Sequence, residues 1–300
     1  MALAGGVGGA RMIDGLHRVL EEGMLTAIVN TGDDFTHWGL HISPDLDTVM
    51  YTLAGLAPEE RGWGIEADTF EVLAESKRRG GDHWFQLGDR DLVTHLRRTT
   101  ALAASATLTE ATAAVCSGLG ITRPILPMSD GPCPTVIVTK DSRSVAFQDW
   151  LVRERGAPEV ASVQSTGSAS ATPEVLRALA EADLIVVCPS NPYVSIDPIR
   201  SLDGVDRWLH EKITVAVSPL LGGKAVKGPL ASMVSSIDRT EPSAGWVARH
   251  YADFLDGIVV HQGDRFESSI PQLETDILIQ KPEDRVRLAR ELLEFARSRL

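Results

Sequence analysis

The opening of the chain constrains its fold more than any other feature: three apolar residues, the run Ala4-Gly-Gly-Val-Gly-Gly-Ala10, then a helical pattern. Glycines allow a tight turn and close backbone approach, and a helix leaving such a turn offers unpaired N–H groups to an anion. Met1-Ala-Leu-Ala4 reads as a very short first strand. Arg11 to Leu20 reads as a helix that buries Met12, Ile13, Leu16, Val19 and Leu20. Leu25 to Val29 is apolar throughout, as a parallel strand covered on both faces must be, and it ends in the polar loop Asn30-Thr-Gly-Asp-Asp34. This is the start of a βαβ unit, with phosphate contact expected at Gly5, Gly6, Gly8 and Gly9. A dinucleotide fold does not follow, because no acidic residue closes the second strand as a ribose clamp. Nor does a Gly-Lys-Ser/Thr ending mark an ordinary P-loop hydrolase.

The pattern then changes. A helix capped by Asp45 or Asp47 runs through Val49 to Leu56, and further helices fit Ala67 to Lys77, Asp89 to Arg98 (with Asp89 as its cap) and Thr109 to Leu119. Strands return as a hairpin, Thr135–Thr139 with Ser144–Phe147. Leu184–Cys188, Ile213–Val217, Gly257–Val260 and Asp276–Gln280 follow as strands, interleaved with helices at Thr172–Ala180, Ser243–Tyr251 and Pro282–Arg299. The expected fold is α/β, a Rossmann-like three-layer sandwich with a mostly parallel sheet and a helical insertion. Residues 1–57 form the first part of the core, 58–122 the helical insertion or cap, and 123–300 the remainder.

Composition narrows the function. Lysine and arginine number 29 against 41 aspartates and glutamates, a net charge of -12, which argues against nucleic-acid or anionic-membrane binding. The three cysteines lack metal-like spacing and suggest a reduced, cytoplasmic setting. No apolar run reaches the roughly 18 to 20 residues of a membrane-spanning helix.

The acidic loops carry more chemistry. Asp33 and Asp34 follow one strand, and Asp45 and Asp47 open the next helix. Carboxylates crowded on neighbouring turns suit Mg²⁺ bridging substrate phosphates, with Asp47 and Asp45 ahead of Asp33 and Asp34. Asp91 and His95 stand i,i+4 and form a simple pair, and Arg90 beside them is a candidate phosphate contact. His37 and His41 have the same spacing, but Gly39 between them disfavours a helical two-histidine metal site. Asn191, in Pro189-Ser-Asn-Pro192, can meet a nucleobase or ribose. Gly222, Lys224 and Lys227 form a second anion loop. No serine–histidine–carboxylate order supports a hydrolase. Phosphoryl-type transfer, which needs orientation and charge stabilisation but no protein nucleophile, fits better.

Taken together, Gly5-Gly-Val-Gly-Gly-Ala-Arg11, Asn30-Thr-Gly-Asp-Asp34, Ser43-Pro-Asp-Leu-Asp-Thr48, Arg61-Gly-Trp-Gly64, Leu87-Gly-Asp-Arg-Asp91, Ile125-Leu-Pro-Met-Ser-Asp130, Phe147-Gln-Asp-Trp150, Pro189-Ser-Asn-Pro192 and Ser218-Pro-Leu-Leu-Gly222 resemble the 2-phospho-L-lactate transferase family of coenzyme F420 biosynthesis. The resemblance spans nearly the whole chain. It implies a Mg²⁺-dependent enzyme that moves a 2-phospholactyl-type group from a guanosine diphospho-linked donor (phospholactate-, phosphoenolpyruvate- or phosphoglycerate-derived) to the terminal hydroxyl of the deazaflavin precursor Fo. GMP leaves, and coenzyme F420-0 or its dehydro analogue forms. The resemblance also implies a homodimer. It places Asp47 and Asp45 in the catalytic role, with Asp47 and Gln86 on the acceptor and Trp63 and Trp84 as candidate ring contacts. Asp45, Asp47 and Asp33 fall on the metal, and Gly5, Gly6, Gly8, Gly9, Asn191, Gly222 and Lys224 on the donor. The alternatives are a non-catalytic nucleotide-binding sensor and, behind it, a Rossmann-type dehydrogenase.

Overall fold

A computed structural model describes residues 1–167 and 169–298. Seven parallel strands form the central sheet: β1 (Ala2–Ala4), β2 (Ala27–Val29), β3 (Ile125–Pro127), β4 (Leu184–Val187), β5 (Ile213–Val217), β6 (Gly257–His261) and β7 (Gln272–Thr275). Their order is β7-β6-β5-β4-β1-β2-β3. Side chains alternate faces along a strand, and here both faces are buried. Ala2, Ala4, Val29, Val186 and Val215 enter one core, while Leu3, Ile28, Ile185, Val187 and Ala216 enter the other. That is why β1, β2 and β4 are apolar at every position rather than at every second one.

Helix α1 (Gly6–Val19) follows β1 and packs on α2 (Pro44–Leu53) and on the C-terminal helix Pro282–Arg297. Helices α3 (Glu71–Arg78), α4 (Asp91–Ala103) and α5 (Leu108–Gly118) lie between β2 and β3 in the chain, and α6 (Pro173–Glu181) precedes β4. A three-stranded antiparallel sheet, Ser144–Ala146, Thr135–Thr139 and Val160–Ser165, stands apart from the main one. The chain leaves β1 for β2 on one side, whereas β4 pairs with β1 on the other. Ligands of open α/β sheets bind outside the carboxyl ends of the strands at such a reversal. The loops that meet there are the glycine run after β1 and Cys188–Asn191 after β4. No helix of the described residues is long and apolar enough to cross a membrane, and all three cysteines are free and buried.

The sandwich with its parallel sheet is as expected, and several boundaries are corrected. Helix α1 starts at Gly6, not Arg11, so three of the four outer glycines form its first turn. Asp45 and Asp47 lie within the first turn of α2 instead of capping it; the cap position is Ser43. Asp89 accepts from the Glu71 and Val72 N–H groups and so caps α3, while Asp68 accepts from Arg90 and Asp91 at the start of α4. The two loops exchange caps, which local spacing cannot reveal. Phe35–His37 and Leu40–Ile42 form an unforeseen hairpin. The last strand is Gln272–Thr275 and not Asp276–Gln280, where Ile277 and Ile279 are buried without strand pairing. The expected end of the last helix at Arg299 lies outside the described residues.

Candidate functional site

Helix α1 has no side-chain cap and no acidic residue in its first turn, which leaves its N-terminal N–H groups to be met from outside the helix. Two are met by protein. Gly5 N–H donates to Ser190 Oγ at 3.1 Å, and Gly6 N–H to Asp45 Oδ1 at 2.7 Å. Val7 and Gly8 follow in the open turn. A side chain at Gly8 would overlap the Pro189 carbonyl, and one at Gly5 would collide with Asp45 and Ser195. Glycine is therefore required here by close approach between the two loops of the reversal point.

Two cavities flank this turn, and Val7 lines both. The smaller, about 80 Å³, lies toward β4 and β5 among Gly8, Arg11, Asn191, Ser218, Lys227 and Ile279. Asn191 Oδ1 accepts from Tyr193 N–H at 3.1 Å, so its amide N–H₂, 3.5 Å from Met233 sulfur, is the group left to meet a ligand. Lys227 Nζ donates to the carbonyls of Glu60 at 3.1 Å and Arg61 at 2.5 Å, and Arg11 donates to that of Glu59. Burial, and then Arg11, lower the Lys227 pKa, with the Glu60 charge opposing them: two cations face one cleft. Gly222 and Lys224 do not line it. Gly222 N–H donates to Asp264, and Lys224 is exposed on a short hairpin, so of the two lysines of this loop only Lys227 lines the cleft.

The larger cavity, about 420 Å³, lies on the β2 side. Trp63, Trp84 and Phe85 form an aromatic wall, Gln86 adds an amide, and Asp45, Asp47 and Asp91 add carboxylates. Trp84 is fixed edge-on to Phe85, with Arg153 over its ring at 4.6 Å. Gln86 and Asp47 thus share one cavity.

The acidic residues divide into three groups. Asp33 and Asp45 share the Asn30 amide, which donates to Asp45 Oδ2 at 2.9 Å and to Asp33 Oδ1 at 3.3 Å. Burial raises Asp33 well above the usual carboxylate range, and the Asp45 charge adds to the rise. Burial likewise lifts Asp45 to about 6, against the pull of Asn30 and the Gly6 N–H. No cationic side chain of the described residues pairs with either carboxylate. Two adjacent buried carboxylates without a countercharge, set on oxygen donors, form a fitting seat for a hard divalent cation. Asp34 is separate, held by the Ser43 hydroxyl at 2.7 Å and His41 at 3.0 Å. Asp47 is separate too. Arg98, fully buried, grips both its oxygens, Nη1 to Oδ2 at 3.2 Å. Unlike Asp33 and Asp45, Asp47 already faces a guanidinium with both oxygens, and it presents a fixed anion to the cavity. Asp91 and His95 do pair, Nε2 to Oδ1 at 3.2 Å. Arg90 turns to the Glu66 carbonyl and away from the cavities.

Asn30, Arg11, Lys227's place in the cleft, and Arg98 are what sequence reading underweighted. Asn30 and Arg11 stand inside quoted motifs. Arg98 lies 51 residues from Asp47 on a helix that otherwise reads as surface, and it carries no local signal.

The family model of 2-phospho-L-lactate transferase CofD matches residues 1–296. A phosphoenolpyruvate transferase of Thermobifida fusca is 43% identical over 279 residues, covering 88% of this chain and 86% of the relative. A 2-phospho-L-lactate transferase of Methanosarcina mazei is 41% identical over 264 residues, covering 87% and 86%. Among solved structures, a Bacillus halodurans protein superposes with a TM-score of 0.64 at 15% identity, covering 97% of this chain and 98% of its own; at that identity the likeness concerns the fold.

Proposed function

The chain belongs to the 2-phospho-L-lactate transferase CofD family, and from that premise we propose that it performs a step of coenzyme F420 biosynthesis. It transfers a 2-phospholactyl-type group from a guanosine diphospho-linked donor to the terminal hydroxyl of Fo. The observation that carries this reading is the pair of cavities meeting on Val7 at the uncapped start of α1. One cleft has cations and the Asn191 amide, suited to a nucleotide diphosphate. The other is aromatic and large enough for a planar heterocycle with a polyol chain. A phosphate at the shared helix N-terminus would be approached from the acceptor side and left from the donor side.

Asp33 and Asp45 are the residues that would hold magnesium beside that phosphate. Bound there, the ion would polarise the phosphate oxygens and screen their charge. Arg11 and Lys227 neutralise the diphosphate and the departing GMP. Asn191 orients the nucleoside. Asp47, held by Arg98, is a rigid acceptor of hydrogen bonds and positions Fo together with Gln86. The acceptor hydroxyl then forms its bond to the phosphorus bearing the lactyl-type group as the bond to GMP breaks, and the hydroxyl proton passes to solvent or to the departing GMP phosphate. The relatives include both phosphoenolpyruvate and phospholactate transferases at similar identity, so the acid carried by the donor is a question for substrate panels.

Titration tests the two-cleft reading without turnover. Fo, followed by its own fluorescence, binds protein already saturated with GDP, and GDP binds protein saturated with Fo. Mutual exclusion of the two ligands would refute it.

A further inference from the structure

The acceptor cavity contains a carboxylate that neither the cation seat nor the Asp47–Arg98 bridge explains. Asp91 opens helix α4, is 8% exposed, and has its N–H held by Asp68 at 3.1 Å. Its Oδ1 accepts the Tyr51 hydroxyl at 2.6 Å, and His95 Nε2 lies 3.2 Å from the same oxygen. Tyr51 and His95 are each 1% exposed, and His95 Nδ1 faces Arg98 Nη1 at 3.4 Å, with Asp47 Oδ2 at 3.6 Å. One side of the carboxylate is thus clamped by the protein. Burial, and then the Asp47 and Asp91 charges, push the Tyr51 phenol far above its ordinary value, so Tyr51 stays a donor across the working pH range.

The other oxygen is different. Among the described residues none donates to Asp91 Oδ2, and that atom is not sealed from the cavity. A carboxylate oxygen facing a wall rich in aromatic groups is satisfied only when something donates to it.

We infer that Asp91 binds the acceptor directly, accepting at Oδ2 a hydrogen bond from an O–H or N–H of that molecule, while Tyr51 and His95 fix the carboxylate's orientation. This rests on the acceptor reading of the larger cavity. Asp91 is then a specificity residue: it rewards a hydrogen-bond donor at one place on the ligand and penalises an analogue that lacks it, because the carboxylate would be left unpaired. Tyr51 is a positioning residue acting through Asp91.

Direct binding of Fo and of GDP to the wild type, Asp91→Asn and Tyr51→Phe tests this. Asparagine keeps the shape and can still accept from Tyr51 through its oxygen, but it then turns N–H₂ toward the ligand's donor. Fo affinity falls by about 10- to 100-fold in Asp91→Asn, the range of a hydrogen bond to a charged group, while GDP affinity is unchanged and serves as the folding control. Tyr51→Phe gives a smaller loss for Fo alone, seen in KM for the acceptor with kcat retained. Wild-type Fo affinity in Asp91→Asn overturns the inference and leaves the transferase reading intact. An equal loss for Fo and GDP in both variants also overturns it, since that is the signature of a structural role. Failure of the wild type to bind Fo overturns the acceptor reading itself.

Discussion

Replacing Asp45 with asparagine should stabilise the metal-free protein at alkaline pH, an unusual outcome for a buried residue that contributes two hydrogen bonds. In the fold, Asp45 is raised from 3.8 to about 6 by burial. A carboxyl whose folded-state pKa lies above its unfolded value contributes stability that is fully present below pH 4 and lost as pH rises through about 6. The rise corresponds to about 3 kcal/mol of destabilisation once both states are ionised. Asparagine removes that cost. It also has only one oxygen to serve both Gly6 N–H and the Asn30 amide, which Asp45 meets with separate oxygens, so about 1 to 1.5 kcal/mol is forfeited. The net gain at pH 8 is about 2 kcal/mol, or about 3 °C in Tm for a chain of this size. At pH 4.5 the gain disappears: the unfolded carboxyl is already largely ionised while the folded one is protonated, so only about 1 kcal/mol of the cost remains, and the hydrogen-bond loss offsets it. Thermal unfolding in EDTA and in excess Mg²⁺, at both pH values, reads this out. Mg²⁺ should raise the wild-type Tm at pH 8 much more than at pH 4.5 and leave Asp45→Asn nearly unchanged. Equal destabilisation of Asp45→Asn at both pH values, with no Mg²⁺ response in the wild type, would refute the idea of a buried, uncompensated carboxylate pair.

Other substitutions separate the remaining roles. Arg98→Met strands the Asp47 charge and should cost about 3 to 5 kcal/mol of stability, much of it recovered in the Arg98→Met/Asp47→Asn double variant; denaturant midpoints decide. Lys227→Ala should raise donor KM by about 10- to 100-fold, the scale of a lost charge-assisted contact, whereas Lys224→Ala should match the wild type in steady-state kinetics. Gly8→Ala forces a methyl against the Pro189 carbonyl and should abolish GDP binding by calorimetry while Fo still binds.

Much of the fold was legible because its signals are local. Continuous apolar runs marked β2, β4, β5 and β6, and the glycine turn before α1 marked the reversal point of the sheet. Local pattern failed where partners are distant. The exchanged caps Asp68 and Asp89 serve each other's helices, and the 276–280 segment buries isoleucines without joining the sheet. The site divides the same way. The acidic motifs drew attention to the buried Asp33 and Asp45, and Asn191 and Gln86 each line one of the two cavities. Asp47, however, could not be separated from Asp45 by sequence, because the residue that distinguishes them is Arg98, brought in by α4. Lys224 and Lys227 are equivalent on paper; only the turn at Gly222 and Gly223, both with positive φ, decides which one faces the cleft.

The transfer itself can be measured in one reaction. Purified protein, Fo, Mg²⁺ and a guanosine diphospho-linked donor are followed for GMP by chromatography and for the deazaflavin phosphodiester by mass. The two products should appear in equal amounts with at least one of the phospholactate-, phosphoenolpyruvate- and phosphoglycerate-derived donors, and neither should form without Fo. Folded protein that binds both Fo and GDP yet yields neither product with any of the three donors would contradict the proposed function.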